Sequence, residues 1–344
     1  MQGASPYQNK PYLAVAPMLD WTDRHCRYFH RCFTKQTVLY TEMVTTGAIL
    51  FGKQDFLEYN PEEQPVILQL GGSDPGAMAE CTAIAAERGY NEVNINVGCP
   101  SDRVQNGSFG ACLMAEPETV AACVKAMRAA ADIRVSVKTR LGIDEHDSDE
   151  FLQAFIEPVM AAGCEYFTLH ARTAWLKGLS PKQNREVPPL QYDRVYRMKE
   201  RYPNLHITIN GGIKTMADIE HHLQFVDGVM IGREAYQNPE LLGQFDGLFD
   251  PNHQPVASEQ VIAQMIPYIE QHIKKGGRAW HVLRHMLGLF NGQPGAKRWR
   301  QILSQRGPQA VSVNDLFAEA LAEVQVARDK FHQFMREQTT YGAE

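Results

Sequence analysis

The sequence predicts an α/β protein: a (β/α)8 TIM barrel followed by a C-terminal helical domain. Three observations carry this. Eight short, β-rich apolar runs alternate with helical patterns up to about residue 240. The runs are nearly continuous in apolar residues, as strands covered on both faces are. Beyond about residue 240 only helical periodicity remains. Strand–helix alternation indicates βα units and a parallel sheet. Eight such units in about 230 residues suit a closed barrel better than an open doubly wound sheet.

In chain order the expected strands are Leu13–Met18, Thr37–Met43, Pro65–Leu70, Glu92–Gly98, Arg134–Arg140, Tyr166–Ala171, His206–Gly211 and Gly228–Arg233. In the fourth, alternating Val93, Ile95 and Val97 give the strand period. Between the strands, helices are expected over Ala77–Arg88 with Gly89 as its stop, then Glu118–Ala131, Asp149–Ala162, Arg194–Arg201, and Met216–Leu223 with Thr215 as N-cap. The linker Phe245–Pro255, rich in Asp, Gly and Pro, divides a barrel over 10–244 from a helical domain over 256–336. That domain reads as Ser258–Lys275, Ala279–Phe290, Ala296–Gln305 and Asn314–Met335, the last with Phe317, Leu321, Val324, Phe331 and Phe334 on one stripe. Trp280 is expected in its core, and Trp299 is open between core and stacking surface.

Composition narrows the class. A hydrophobic share of 44% and a charged share of 22% are those of a globular protein, with no run near the ~18 apolar residues of a membrane span. The start of the chain lacks the charged and apolar regions of a signal peptide. Seven cysteines are scattered with no Cys-x-x-Cys pair, so neither a metal site nor a disulfide framework is expected. A reducing, cytoplasmic location follows from these features.

Net charge is −6, which taken alone argues against nucleic acid. Its distribution argues the other way. From Gln271 to Asn314 there is no Asp or Glu, while Lys274, Lys275, Arg278, Arg284, Lys297, Arg298, Arg300 and Arg306 are all present, leaving the remainder of the chain near −14. Such asymmetry points to a polyanionic partner. A solvated basic face without a partner is the plainer alternative.

In such barrels functional residues gather at the C-terminal strand ends. Those ends carry Pro17, Met18, Leu19 and Asp20, then Gln69, Cys99, Lys138, Arg140, His170, Arg172, Asn210, Gly211, Gly212, Gly232 and Arg233. Glycine turns before helix starts on strands seven and eight suit an anion. A phosphate there, with Lys138 and Gln69 facing inward, suits flavin mononucleotide. Singly, a strand-end lysine is more often an ion-pair partner, a histidine structural and a glycine pair a turn. Their joint placement on successive strand ends carries the reading. Cys99 follows a sharp turn at Gly98, and its thiol could be an acid, a nucleophile or core.

The motifs Ala16-Pro17-Met18-Leu19-Asp20-Trp21-Thr22-Asp23, Gln69-Leu70-Gly71-Gly72, Asn94-x-Asn96-x-Gly98-Cys99-Pro100, Lys138-Thr139-Arg140, His170-Ala171-Arg172 and Asn210-Gly211-Gly212-Ile213 together resemble the tRNA-dihydrouridine synthase family. The resemblance spans nearly the whole chain. It implies an FMN-dependent, NADPH-using enzyme that delivers hydride to C6 of a uracil ring, with Cys99 giving the proton to C5. It also implies cofactor contacts at Pro17, Met18, Leu19, Gln69, Lys138, His170, Asn210, Gly211, Gly212, Gly232 and Arg233, and places Arg140 beside the substrate ring or the flavin. RNA contacts are implied at Asn96, Lys182, Arg185, Lys297 and Arg300, with Arg298 as the alternative facing residue in the last helix. Asn96 would hold the base turned out of its stack. The Gly-rich loop Gln105–Ala111 would form the rim, and Cys112 is the other thiol to inspect.

The passages Thr41-Glu42-Met43-Val44-Thr45-Thr46 and Trp175-Leu176-x-Gly178-Leu179-Ser180-Pro181-Lys182 are closest to one bacterial branch, which implies D-loop uridines 20 and 20a as targets and a monomer. The competing readings are a dihydroorotate- or dihydropyrimidine-type flavoprotein and a non-catalytic RNA-binding barrel. The first leaves the acid-free helical window without a role, and the second leaves Cys99, Lys138 and His170 without one.

Overall fold

The computed structural model describes residues 11–101 and 109–341. Eight parallel strands, β1 (Tyr12–Val15), β2 (Val38–Thr45), β3 (Val66–Gly71), β4 (Glu92–Val97), β5 (Arg134–Thr139), β6 (Tyr166–His170), β7 (His206–Asn210) and β8 (Gly228–Ile231), pair in sequence order. The pairing of β1 with β8 closes the barrel. Each expected strand is present within a few residues of its predicted ends. Between the strands lie α1 (Arg24–Arg31), α2 (Thr46–Phe51), α3 (Pro75–Glu87), α4 (Pro117–Ala130), α5 (Asp149–Ala161), α6 (Tyr192–Arg201) and α7 (Met216–His222).

Local chemistry sets the helix ends. Asp74 caps α3 through the Ala77 amide, and Gly89, at φ 86°, ends that helix as expected. Ser148 caps α5 through Phe151, and Thr215 forms a reciprocal capping box with Asp218 at α7. The sequence does not announce α1, whose residues are mostly polar in type though buried, or α2, which is only six residues long.

The barrel interior has two halves. Around β1, β2 and β8 it is apolar, with Tyr12, Ala14, Ala16, Val38, Tyr40, Ile67 and Met230 in one buried cluster. Gly228 is required there, since a Cβ would stand 2.6 Å from the Tyr12 ring. From β3 to β7 the interior is polar, with Gln69, Asn94, Ser136, Thr168, Thr208 and Asn210 all buried. The period-two apolar set Val93, Ile95 and Val97 is buried as well, and the alternate set Glu92, Asn94 and Asn96 carries the polar network described below. In a low-dielectric interior such polar groups must be paired, and paired groups hold one arrangement.

The chain divides into two compact units, residues 1–24 with 36–232, and residues 25–35 with 233–344. The second unit therefore includes α1 and begins at Arg233, whereas the sequence reading drew its line within 245–255. Inside this unit Tyr28 of α1 stacks on Tyr268 at 4.0 Å, and Thr34 and Lys35 bond to the Asp246 carboxylate. The unit continues with α8 (Arg233–Gln237), α9 (Leu242–Phe245), α10 (Ser258–Lys274), α11 (Trp280–Leu283), α12 (Ala296–Arg306) and α13 (Val313–Tyr341).

One expected helix is different. Ala279–Phe290 is a single turn of α-helix followed by a 3-10 segment over Arg284–Gly288. Gly288 lies so close to Tyr236 that a Cβ would stand 2.6 Å from its carbonyl oxygen, and Phe290 turns the chain with φ 62°. Trp299 is core: it is fully buried, donates Nε1 to the Met286 carbonyl at 2.9 Å and stacks on Phe317. Trp280, expected in the core, is only half-buried. The stripe on α13 is core through Phe317 and Val324, while Phe331 and Phe334 are 47% and 55% exposed. Replacing Trp299 by alanine is expected to destabilise the protein by about 3–5 kcal/mol, read as a lower urea midpoint.

Candidate active site

At the C-terminal end of β4 the chain turns through Gly98 and Cys99. Every backbone polar group of this turn is engaged. The Asn96 Oδ1 accepts from the amides of Gly98 at 3.1 Å and Cys99 at 3.0 Å. Arg140 Nε donates to the Gly98 carbonyl at 3.2 Å, and the Ala111 amide donates to the Cys99 carbonyl at 2.9 Å. The thiol is held on a rigid platform and remains partly accessible. Ser101 Oγ lies 3.5 Å from its sulfur.

Below the turn a directional chain of hydrogen bonds crosses three strands. Asn96 Nδ2 donates to Gln69 Oε1, Gln69 Nε2 to Asn94 Oδ1, and Asn94 Nδ2 to Ser136 Oγ, each at 2.8 Å. Ser136 then donates to Glu92 Oε1 at 2.5 Å. The two backbone amides at the top fix which way the Asn96 amide points, and that choice passes link by link to the Glu92 carboxylate, which only accepts. Gln69 and Asn96, read from sequence as cofactor and RNA contacts, are thus joined to each other and to the acid turn. Each retains one further amide N–H for a ligand.

The adjoining strand ends supply cations. Register pairs Asn96 with Lys138, and His170 with Asn210. Lys138 Nζ donates to Asn210 Oδ1 at 3.0 Å, while Asn210 Nδ2 donates to the Met230 carbonyl at 2.8 Å. Burial, then the neighbouring Arg140 charge, lowers the Lys138 ammonium from 10.5 to about 7. Burial and the charges of Arg140, Lys138 and Arg172 push the His170 imidazole well below its ordinary value, so it is neutral at neutral pH. His170 Nδ1 is buried and has no hydrogen-bond partner among the described residues. An orphaned ring nitrogen beside a lysine lowered by burial is a costly arrangement for a purely structural role.

Gly211 and Gly212 both lie in the left-handed region, at φ 115° and 73°. A Cβ on Gly211 would stand 3.3 Å from the His170 ring, and one on Gly212 would stand 2.5 Å from Leu190. Only glycine lets the backbone pass here. Beside Gly232 there is open space, and Arg233 follows it in the chain as the first residue of α8. At the end of β1, Thr22 accepts from the Met18 amide at 2.9 Å, Pro17 and Met18 are half-covered, and Leu19 is 61% exposed.

Lys182 and Arg185 are exposed on the loop after β6. Asn184 between them is fully buried and fastens that loop: its amide group bonds the backbone of Trp175 and donates to the Leu179 carbonyl. Nothing in the sequence singled out Asn184. In the second unit, Lys297, Arg298 and Arg300 are all exposed on α12. Arg298 pairs with Glu323 at 3.1 Å, whereas neither Lys297 nor Arg300 has such a partner among the described residues. Cys112 donates its thiol proton to the Phe109 carbonyl, and burial followed by the Glu116 charge raises it, so it stays protonated. Residues 105–108 of the Gly-rich loop lie outside the described residues. Among the described residues, no helix is long and apolar enough to cross a membrane.

Comparison with known proteins bears on the fold and the family. A solved 2-naphthoyl-CoA reductase complex superposes with a TM-score of 0.52 at 9% identity, covering 70% of this chain and 50% of that one, a likeness of fold. A tRNA-dihydrouridine(20/20a) synthase of Yersinia pestis is 60% identical over 313 residues, covering 90% of this chain and 91% of the relative. One from Shewanella oneidensis is 62% identical over 293 residues, covering 85% and 88%. One from Escherichia coli O6:H1 is 57% identical, covering 90% and 94%. The dihydrouridine synthase (Dus) family model matches residues 14–325, from β1 to α13, and the chain belongs to that family.

Proposed function

We propose that the protein reduces uridines 20 and 20a of the tRNA D-loop to 5,6-dihydrouridine, using FMN and NADPH, with Cys99 as the proton donor. The observation that carries the reading is the Cys99 thiol, fixed on a turn with all its backbone groups engaged, above a strand whose Asn96 stands opposite Lys138 on the adjoining strand. The relatives' names supply the positions. The family match over residues 14–325, which runs into the helical unit, favours this reading over a small-molecule pyrimidine reductase.

The residues at the barrel mouth fit a flavin mononucleotide. The unpartnered His170 Nδ1 calls for a polar ligand atom, and Gly211 and Gly212 leave backbone close to it without side chains. A lysine held near 7 by burial regains its full charge when an anion arrives, so Lys138 suits a negatively charged ring edge. Asn210, Gly211, Gly212, Gly232 and Arg233 would hold the phosphate, with Pro17, Met18, Leu19 and Gln69 along the ring. When bound and reduced by NADPH, the flavin supplies the hydride for C6 of uracil.

The chain's own residues do the remainder. The Cys99 sulfur gives its proton to C5 as general acid. Asn96 holds the turn that aims the sulfur and offers its second amide N–H to the extruded base. Lys182 and Arg185 in the barrel unit, and Lys297 and Arg300 in the helical unit, take the phosphates. Engagement of Arg298 by Glu323 favours its two neighbours for that role.

The reading is tested with unmodified tRNA transcript, FMN and NADPH, scoring dihydrouridine by mass. Product at 20 and 20a is expected, and a colourless protein that takes up no FMN and yields no product overturns the reading. Replacing Lys297 and Arg300 together by alanine is expected to weaken tRNA binding. It should also flatten the slope of log affinity against log salt by about 1.5, leaving NADPH oxidation unchanged. An unchanged slope would move the RNA surface elsewhere.

A further inference from the structure

Arg140, at the end of β5, is 4% exposed and reaches in two directions. Its Nε donates to the Gly98 carbonyl in the acid turn, and its NH1 donates to the Asn184 carbonyl at 3.0 Å. These two acceptors lie on segments more than eighty positions apart in the chain. One holds Cys99. The other lies between Lys182 and Arg185 in a loop that the Asn184 side chain also fastens. Arg172, from the next strand end, fastens the same loop through the Pro188 carbonyl at 2.6 Å.

We propose that Arg140 is a positioning residue that clamps the Cys99 turn to the loop bearing Lys182 and Arg185. Seating RNA on that loop and aiming the thiol are thereby one mechanical event. The proposal rests on the reading above for what the loop binds, and on geometry alone for the clamp. A planar guanidinium is the side chain that can hold two carbonyls at fixed angles, whereas a lysine ammonium can serve as a point charge only. Purely as a fastening, a buried charge facing neutral carbonyls is a poor choice, because its desolvation is only partly offset. Two anions account for it: the Cys99 thiolate left after proton transfer, and RNA phosphate at the loop. Loops that carry binding residues are usually free to move. Here the loop is tied into the catalytic turn through one side chain.

The test is a double-mutant cycle with a thiol readout. Arg185→Ala alone is expected to weaken tRNA binding about tenfold, but less than about twofold in the Arg140→Lys background, where the loop has lost its tie to the Cys99 turn. Lys297→Ala should have the same effect in both backgrounds. Arg140→Lys should also lower kcat more than it raises KM, because the charge is kept and only the aim is lost. Should that variant fail to fold, Asn184→Ala keeps the carbonyl that Arg140 holds but removes the side-chain bonds that fix the loop segment presenting it. Without RNA, its Cys99 is expected to be alkylated by iodoacetamide at least about threefold faster than in wild type, as the turn loosens. A role limited to stability would lower the melting temperature and leave that rate unchanged. Additivity in the cycle, or a wild-type alkylation rate in Asn184→Ala, overturns the clamp. If the wild-type protein does not bind tRNA, the functional reading fails while the alkylation arm still decides the clamp.

Discussion

Cys99→Ala is expected to lower dihydrouridine formation by about 10²–10⁴-fold, the range of a general acid, while flavin binding and flavin reduction by NADPH stay as in wild type. The separation follows from the structure. The turn is held through main-chain groups of Gly98 and Cys99, none of which the substitution removes. Lys138, His170 and Asn210 do not depend on the sulfur for their bonds. Rapid mixing that follows flavin absorbance, first with NADPH and then with tRNA, resolves the two halves. Normal reoxidation by tRNA in this variant would remove Cys99 as the acid. Ser101 Oγ, 3.5 Å from the sulfur, is placed to return a proton to it.

Lys138→Met is expected to have the second large effect, with opposite signs on stability and on cofactor binding. The folded-state value of about 7 lies below the ordinary 10.5. Between the two the unfolded chain carries the proton and the folded chain does not. The ligand-free protein therefore gains stability as pH rises from about 7 towards 10.5, and below about 7 it bears the full penalty of the buried charge. Methionine removes that penalty. The flavin-free variant should be more stable than wild type at and below neutral pH, with the difference shrinking as pH rises through this window. Its FMN affinity should fall about 30-fold or more, because a charged partner is lost from a buried site. Urea denaturation across the window and FMN titration check the two halves. A variant less stable than wild type at low pH would contradict the account of Lys138.

The strands were legible because parallel strands covered on both faces leave apolar runs that no other element leaves. Cys99, Lys138 and His170 were legible because those runs end at them, and strand ends face the barrel mouth. What lay inside was less so. Glu92, Asn94 and Asn96 alternate with Val93, Ile95 and Val97, a signal of an inward polar face. Their partners Gln69 and Ser136, however, are fixed only by the register between strands. Arg140 stood out as a cation in a motif, yet its function depends on carbonyls of Gly98 and Asn184, which carry no side-chain signature. The same holds for α1: six of its eight residues are buried, including His25, Arg27, His30 and Arg31, so a polar-looking helix is a core element of the second unit. Trp299 was ambiguous because a buried tryptophan and a stacking one are alike in sequence. The Met286 carbonyl that satisfies its indole is an irregular-turn feature no periodicity announces.

The central claim is that the thiol on the β4 turn protonates a uridine of tRNA. The most direct measurement maps dihydrouridine in tRNA from cells lacking this protein, then from the same cells given wild type or Cys99→Ala. The account predicts that the modification at 20 and 20a is absent without the protein, returns with wild type and stays absent with Cys99→Ala. Dihydrouridine that persists at both positions without the protein, or returns in full with Cys99→Ala, contradicts it.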